Sequence, residues 1–305
     1  MKDFYPEGTL ANTPENKAII YSSEKLKNFV GTDKILESRV TLCDTAHNLI
    51  VDLGDMRGVI PRAEGAMGII EGTTRDIALI SRVGKYVSFT VTDIKTEKGG
   101  KPYALLSRRK AAELCIKNYL SHLVPGDVIK AKITHLETFG AFCDIGCGVA
   151  ALLPIDSISV SRISHPRDRF CVGDEIFCAV KQVENGKITL TLKELLGTWE
   201  ENADMFSPGQ TVTGVIRSIE EYGIFVELSP NLAGLAEPRF DVSIGEKASV
   251  YIKSINPDKM KIKLVIIDTF ISDDKMPIKY FNKGNCLKEF CYSPPHAVKQ
   301  IKTLF

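Results

Sequence analysis

The chain is poor in tryptophan, with one, and in histidine, with five, and it has almost no surplus of either charge. Its 39 lysines and arginines face 38 aspartates and glutamates, for a formal net charge of +1. A dedicated polyanion binder usually carries a clear basic excess, so any contact with nucleic acid has to rest on local charge and on stacking. No apolar run approaches the roughly 18 to 20 residues that a membrane-spanning helix needs. The opening MKDFYPEGTL has neither the basic start nor the apolar stretch of a secretory signal, and a cytoplasmic protein is expected, with no membrane partner. Among the eight cysteines, none of the pairs Cys143 and Cys147, Cys171 and Cys178, or Cys286 and Cys291 combines tandem spacing with the matching second half of a zinc site. Most lie in apolar contexts such as VTLCD, AFCDI and IFCAV and read as small hydrophobes. Catalytic constellations are missing as well. His47, His122, His135, His165 and His296 share no ligand spacing, no Ser-His-Asp or Cys-His set can be argued, and EKGGKPY lacks the glycine spacing and helix of a phosphate loop. Neither an enzyme, a metal nor a cofactor is expected.

What the chain does have is repetition. At 305 residues, 44% hydrophobic and 25% charged, it divides by size into two or three domains. The stretch LVPGDVIKAKITHLETFGAFCDIGCGVAALLPID from Leu123 matches FSPGQTVTGVIRSIEEYGIFVELSPNLAGLAEPR from Phe206 nearly position for position. A fainter copy, ILESRVTLCDTAHNLIVDLGDMRGVIPRAE from Ile35, keeps the strand, the VDLG turn and the terminal proline, but places His47 and Ile50 where the others carry aromatics. Each copy is followed by two more alternating segments, separated by TEKGG, ENG or NPDKM, which read as hairpin turns. Five short strands per repeat predict a small closed barrel of the OB type, three in tandem, in a mainly β chain. Helices are expected at 107–123 and 193–206, and in the first segment, where Thr13 suits an N-cap, Pro14 the first turn and Gly31 the stop. Trp199 is expected to wedge its linker helix against a barrel. The resulting division is an N-terminal helical segment 1–34, a degenerate barrel 35–110, a linker 111–122, a barrel 123–194, a linker 195–206, a barrel 207–267 and a tail 268–305. The tail reads as a hairpin turning at Lys283-Gly284-Asn285 and packing on the third barrel.

The motif aromatic-Gly-x-Phe-x-acid occurs twice, as Phe139-Gly140-Ala141-Phe142 before Asp144 and as Tyr222-Gly223-Ile224-Phe225 before Glu227. Residues three apart in a flat strand point to opposite faces. A bulge at the glycine would bring both rings to one face, where they would form a platform for unpaired bases. The alternative is that one or both rings fill the barrel core. In SRISHPRDRF, Arg162, His165, Arg167 and Arg169 form a positive loop that would track a phosphate backbone, or else a solvated loop with Asp168 as its counter-ion.

At these residues the chain resembles the S1-type RNA-binding domain, the OB barrel repeated in ribosomal protein S1 and in RNA-processing and RNA-decay factors, over about residues 35 to 267. Its opening looks like the short stand-alone S1-repeat proteins of Gram-positive bacteria. The RNA face of that family carries two aromatics on the second strand, a His after the third, an Asp after the fourth and a basic residue opening the fifth. By resemblance the second repeat supplies Phe139, Phe142 and Lys187, with Pro154 in place of the His and Glu184 in place of the Asp. The third supplies Tyr222, Phe225 and Lys261, with Glu237 at the His position and Asn256 at the Asp position. Glu237 sets a like charge beside phosphate. The first repeat has Pro61 and no aromatic pair, and by analogy with leading repeats of the family it docks protein, such as the ribosome, or the preceding helices. The resemblance implies binding of single-stranded RNA, including mRNA, in translation. A docking scaffold for ribosome or RNA polymerase surfaces is the other reading, consistent with the near-zero charge.

Overall fold

The structure, a computed structural model, describes residues 4–96, 99–282 and 284–305. Part of the TEKGG turn and Lys283 of the expected tail turn lie outside them. The chain forms two compact units, one of Met1–Leu123 with Asp144–Ala150, the other of Val124–Cys143 with Ala151–Phe305.

The first unit opens with α1 (Pro14–Ile20) and α2 (Ser23–Lys27). Thr13 caps α1 by accepting from the Asn16 N–H, and proline stands at its first turn, as expected for an end with unsatisfied donors. Gly31, at φ +73°, releases the chain from the helices, and its N–H donates to Val91 O at 2.9 Å. The first barrel then closes from β1 (Leu36–Cys43), β2 (Leu49–Leu53), β3 (Met56–Ile60), β4 (Tyr86–Thr96) and β5 (Pro102–Ser107), with the short α3 (Ile77–Ile80) before β4. Closure between β3 and β5 is parallel, and the other pairings are antiparallel. Alternation puts Leu36, Val40, Leu49, Val51, Val87, Phe89 and Leu106 in one core with Leu26 of α2. Helix α4 (Arg108–Asn118), capped by Ser107, follows directly.

Buried charge ties residues 7–11 to this unit. Glu37, fully buried, accepts on one oxygen the N–H groups of Gly8 (3.0 Å), Leu10 (2.8 Å) and Ala11 (2.9 Å), and on the other the Ser88 hydroxyl at 2.9 Å. Glu7 holds Arg108 through Nε at 2.6 Å and a second nitrogen at 3.0 Å, while its own N–H donates to Asp144 at 2.7 Å. Burial pushes the Glu37 carboxyl up to about 7, against the Ser88 hydrogen bond, and Glu7 adds to the rise. Burial and Glu7 also push Asp144 up.

The second unit holds two barrels. One is β6 (Val128–Glu137), β7 (Gly140–Asp144), β8 (Ala150–Pro154), β9 (Glu175–Glu184) and β10 (Lys187–Thr191); the other is β11 (Thr211–Glu220), β12 (Gly223–Ser229), β13 (Leu232–Ala236), β14 (Lys247–Asn256) and β15 (Lys261–Phe270). Both again close by a parallel pair, β8 with β10 and β13 with β15. The expected helix over 193–206 is broken. Gly197, at φ +85°, separates a 3-10 turn, Lys193–Leu195, from α5 (Trp199–Ala203), which has a Thr198–Glu201 capping box. Trp199 is buried in the core of the last barrel, which is the wedge the sequence suggests.

The two barrels of this unit are joined through charge taken out of water. Arg169, in the connection between β8 and β9, has no exposed side-chain surface and donates to both oxygens of the equally buried Glu227, at 3.2 Å for one of them. Arg217 reaches Glu227 through Nε at 2.5 Å and Asp168 at 3.2 Å. The Ser161 N–H donates to Pro230 O at 3.0 Å, and Asn231 donates to Lys193 O and Gly197 O at 2.7 and 2.8 Å.

The tail departs in part from its expected place. Residues 275–282 and 284–287 run along the second barrel. Tyr280 Oη accepts from the Phe177 N–H at 3.0 Å, Asn285 O from Val128 at 2.9 Å, and the Leu287 N–H donates to Gly126 O at 2.8 Å. The two-stranded sheet is β16 (Glu289–Cys291) with β17 (Lys302–Leu304), so its connection lies beyond 291 rather than at 283–285. This sheet and its connection meet the third barrel as the sequence suggests: Phe290 packs against that core and Tyr292 enters it, its hydroxyl donating to Asn231 O at 2.5 Å.

Two predictions follow from the buried charges. The folded Glu37 keeps its proton to a higher pH than the unfolded chain does, so its contribution is full below about pH 4.5 and is lost as pH rises towards 7. Corrected for intrinsic exchange, the amides of Gly8, Leu10 and Ala11 should open more readily at pH 7 than at pH 5, and Glu37→Gln should flatten that dependence. In the second unit, Glu227→Gln leaves buried guanidinium charge uncompensated and should cost about 3–5 kcal/mol, read by denaturant unfolding with Trp199 fluorescence as the probe.

Candidate nucleic-acid interface

The repeated motif spans a hairpin rather than a single strand. Strand β6 ends at Glu137, Thr138 and Phe139 form the turn, and Gly140 opens β7; likewise Glu221 and Tyr222 turn between β11 and β12, with Glu220 opposite Gly223. The first ring therefore comes from the turn and the second from the strand, and no bulge at the glycine is needed. A bulge does exist, one strand earlier. In β11 the register shifts between Ile216 and Ser218, at Arg217, and in β1 between Val40 and Leu42, at Thr41. In β6 the same break shows as buried Ile133 and Leu136 flanking Thr134 and His135, which both lie outside the core.

Glycine is required for another reason. A Cβ at Gly140 would stand 2.6 Å from Leu153 O and 3.0 Å from Pro154 Cα, and one at Gly223 would stand 2.6 Å from Ala236 O. The third strand of each barrel passes against the glycine, leaving no room for a side chain.

Neither ring pair fills a core. Phe139 is 54% exposed and Tyr222 68%, while Phe142 and Phe225 are half-buried. Phe139 meets Phe142 edge to face at 6.0 Å and 88°, and Tyr222 meets Phe225 at 6.2 Å and 88°. The two platforms thus share one geometry. The acid that ends the motif faces inward. Asp144 accepts from Glu7, Gly146 and Gly148 N–H groups, and Glu227 holds the two arginines.

Other residues singled out by the sequence divide. Lys187 and Glu184 face each other across the Asn185-Gly186 turn, both exposed, and both turn residues have positive φ (49° and 73°), as a tight hairpin demands. Asn256 and Lys261 form the corresponding pair in the last barrel, where Asn256 also accepts from the Lys259 N–H at 3.0 Å. Arg162 and Arg167 are exposed. His165 is turned to the backbone, accepting from the Arg167 N–H at 3.0 Å. Arg169 has to be withdrawn as a phosphate contact, because its guanidinium is sealed against Glu227; only two of the four side chains in that loop present themselves outward for a backbone to follow.

Two residues on these faces escaped sequence reasoning. Cross-strand pairing sets Phe225 opposite Leu235, and Leu235 beside Lys263, so an exposed ammonium shares the row of the Tyr222 and Phe225 platform. In the second barrel the His135 ring stacks on Phe142 at 6.5 Å and 29°. Neither has a local signal in the sequence, because the pairing of strands sets both.

A family model described as S1 RNA binding domain matches residues 123–193, the second barrel. The chain is an S1-domain protein related to the ribosomal protein bS1 of Gram-positive bacteria. It is 30% identical over 276 residues to small ribosomal subunit protein bS1 of Staphylococcus haemolyticus, covering 85% of this chain and 66% of that one. To bS1 of Streptococcus pneumoniae it is 26% identical over 228 residues, covering 68% and 57%. The chain thus spans between about half and two thirds of the length of the curated relatives it matches. A crystal structure of a multidomain protein with nucleic acid binding domains from Streptococcus pneumoniae aligns at 13% identity and a TM-score of 0.26, over 77% of this chain and 74% of that one. No helix among the described residues is long and apolar enough to cross a membrane, and none of their His, Cys, Asp and Glu side chains group as a metal site.

Because Phe139 stands half in solvent, Phe139→Ala should cost under about 1 kcal/mol in denaturant unfolding, against the 3–5 kcal/mol of a truncated core phenylalanine.

Proposed function

We propose that this chain is a non-catalytic cytoplasmic protein that binds single-stranded RNA, with mRNA on the ribosome as its setting and the second barrel as its principal site. The observation that carries this reading is the paired, outward-facing rings, set edge to face with the same geometry in two barrels. Exposed aromatic surface of this size needs a partner with flat apolar faces, and unstacked bases provide them. Bases stack on Phe139 and Phe142, while Lys187, Arg162 and Arg167 meet phosphates. Tyr222, Phe225, Lys261 and Lys263 offer a second station, with Glu237 as an opposing charge. Few cations per barrel mean few released counterions, so affinity is moderate and falls with salt by about 0.7 log units per phosphate contact per decade. Two stations within one compact unit raise the effective concentration of a strand already held by one of them.

The first barrel supports a different use. Its outer row reads Leu42, Ile50, Val59 and Leu105 across four strands, aliphatic throughout and not buried. Such a row suits a protein surface, the ribosome's included, better than a base, and it is the feature that favours a docking role for this barrel.

The test is fluorescence anisotropy with a labelled single-stranded RNA of mixed sequence at two salt concentrations, comparing the wild type with Phe139→Ala plus Phe142→Ala after circular dichroism shows both folded. The double variant should lose roughly 2 kcal/mol or more of binding free energy. Absence of binding by the folded wild type at low salt would hand the whole chain to the docking reading.

A further inference from the structure

The bulge in the first strand of each barrel turns one extra side chain outward, directly opposite the second residue of the platform. In the first barrel that pair is Leu42 with Ile50, and in the third it is Ser218 with Phe225. In the second barrel the ring contact shows it to be His135 with Phe142. The three barrels therefore differ at one structurally equivalent place, where they carry an aliphatic, an imidazole and a hydroxyl.

We propose that His135 is a base-binding residue, the third ring of the second barrel's platform, and that it separates the RNA affinity of this barrel from that of the third. This rests on the proposed RNA-binding role. Phe142 has a ring neighbour on each of two contacts: Phe139 meets it edge to face at 6.0 Å and 88°, and the imidazole stacks on it at 6.5 Å, tilted by only 29°. The His135 side chain is 63% exposed, so its free face is open to a ligand. It is also held in place. Nε2 lies 2.6 Å from the Glu137 carboxylate on the same strand, and the Thr134 hydroxyl donates to Phe142 O at 3.0 Å, fixing the bulge against β7. An imidazole is among the side chains on which splayed bases stack, and a ring already oriented by a carboxylate loses little freedom on binding. The third barrel has an acid at the matching place, Glu220, but no ring beside Phe225 other than Tyr222.

The test uses the full chain and the same labelled RNA. His135→Ala should weaken binding by roughly five-fold or more, and His135→Phe, which keeps a stacking ring, should restore most of the affinity. In a chain whose second platform is removed by Phe139→Ala and Phe142→Ala, Ser218→His should strengthen the remaining binding. Circular dichroism and Trp199 fluorescence verify that each variant is folded. If the Phe139→Ala, Phe142→Ala chain loses binding while His135→Ala matches the wild type, His135 is a surface residue and the inference falls, with RNA binding intact. Equal loss in His135→Ala and His135→Phe, together with no gain from Ser218→His, also overturns it, since stacking would then not be the ring's contribution. If the folded wild type binds no RNA, the proposed function falls and takes this inference with it.

Discussion

The barrels of the second unit are organised by a steric constraint: the third strand passes so close to the start of the second that only glycine fits. At Gly140 and Gly223 a Cβ would lie within 2.6 Å of a carbonyl oxygen, a separation that no small adjustment relieves. From that contact the rest of the face follows. The glycine closes a two-residue turn, the residue before it is thrown into solvent, and the phenylalanine two positions on emerges from the strand beside it. Repetition of aromatic-Gly-x-Phe is thus the trace of a packing requirement that also presents two rings together.

Charge buried near this contact does structural work. Asp144 and Glu227 occupy the same place in the repeat, and both are removed from water. Asp144 collects backbone N–H groups and lies with Glu7 and Arg108; Glu227 takes two arginines. Desolvating such groups is expensive, and the attraction between them repays it only when every partner is present.

A graded series runs along the chain. The outer face is aliphatic in the first barrel, aromatic with an imidazole in the second and aromatic with lysines in the third, although the backbone beneath is the same. Variation at a handful of outward positions, over a constant core, is how one small barrel is turned to different partners.

Much of the fold was legible beforehand, because period-two alternation and Asn-Gly or Pro-Gly punctuation are local signals. They placed three barrels, the capped first helix and the buried tryptophan. The helix over 193–206 failed at Gly197, whose positive φ is a local feature but whose packing against Phe281 is not. The candidate site was legible as a list of side chains and not as an arrangement. Arg169 reads as a loop cation in SRISHPRDRF, yet its partner Glu227 lies 58 residues away, and only folding reveals that the charge is sealed. His135 reads as one of five scattered histidines, and a register break, visible only once strands are paired, turns it towards Phe142. The tail's path along the second barrel depends on backbone groups and on the Tyr280 hydroxyl, whose partners are far away in the chain. The sequence by itself therefore determined the elements, their repetition and the residues able to stack. Tertiary structure decided which of those residues share a face and which charges are spent inside, because burial and pairing depend on neighbours distant in the chain.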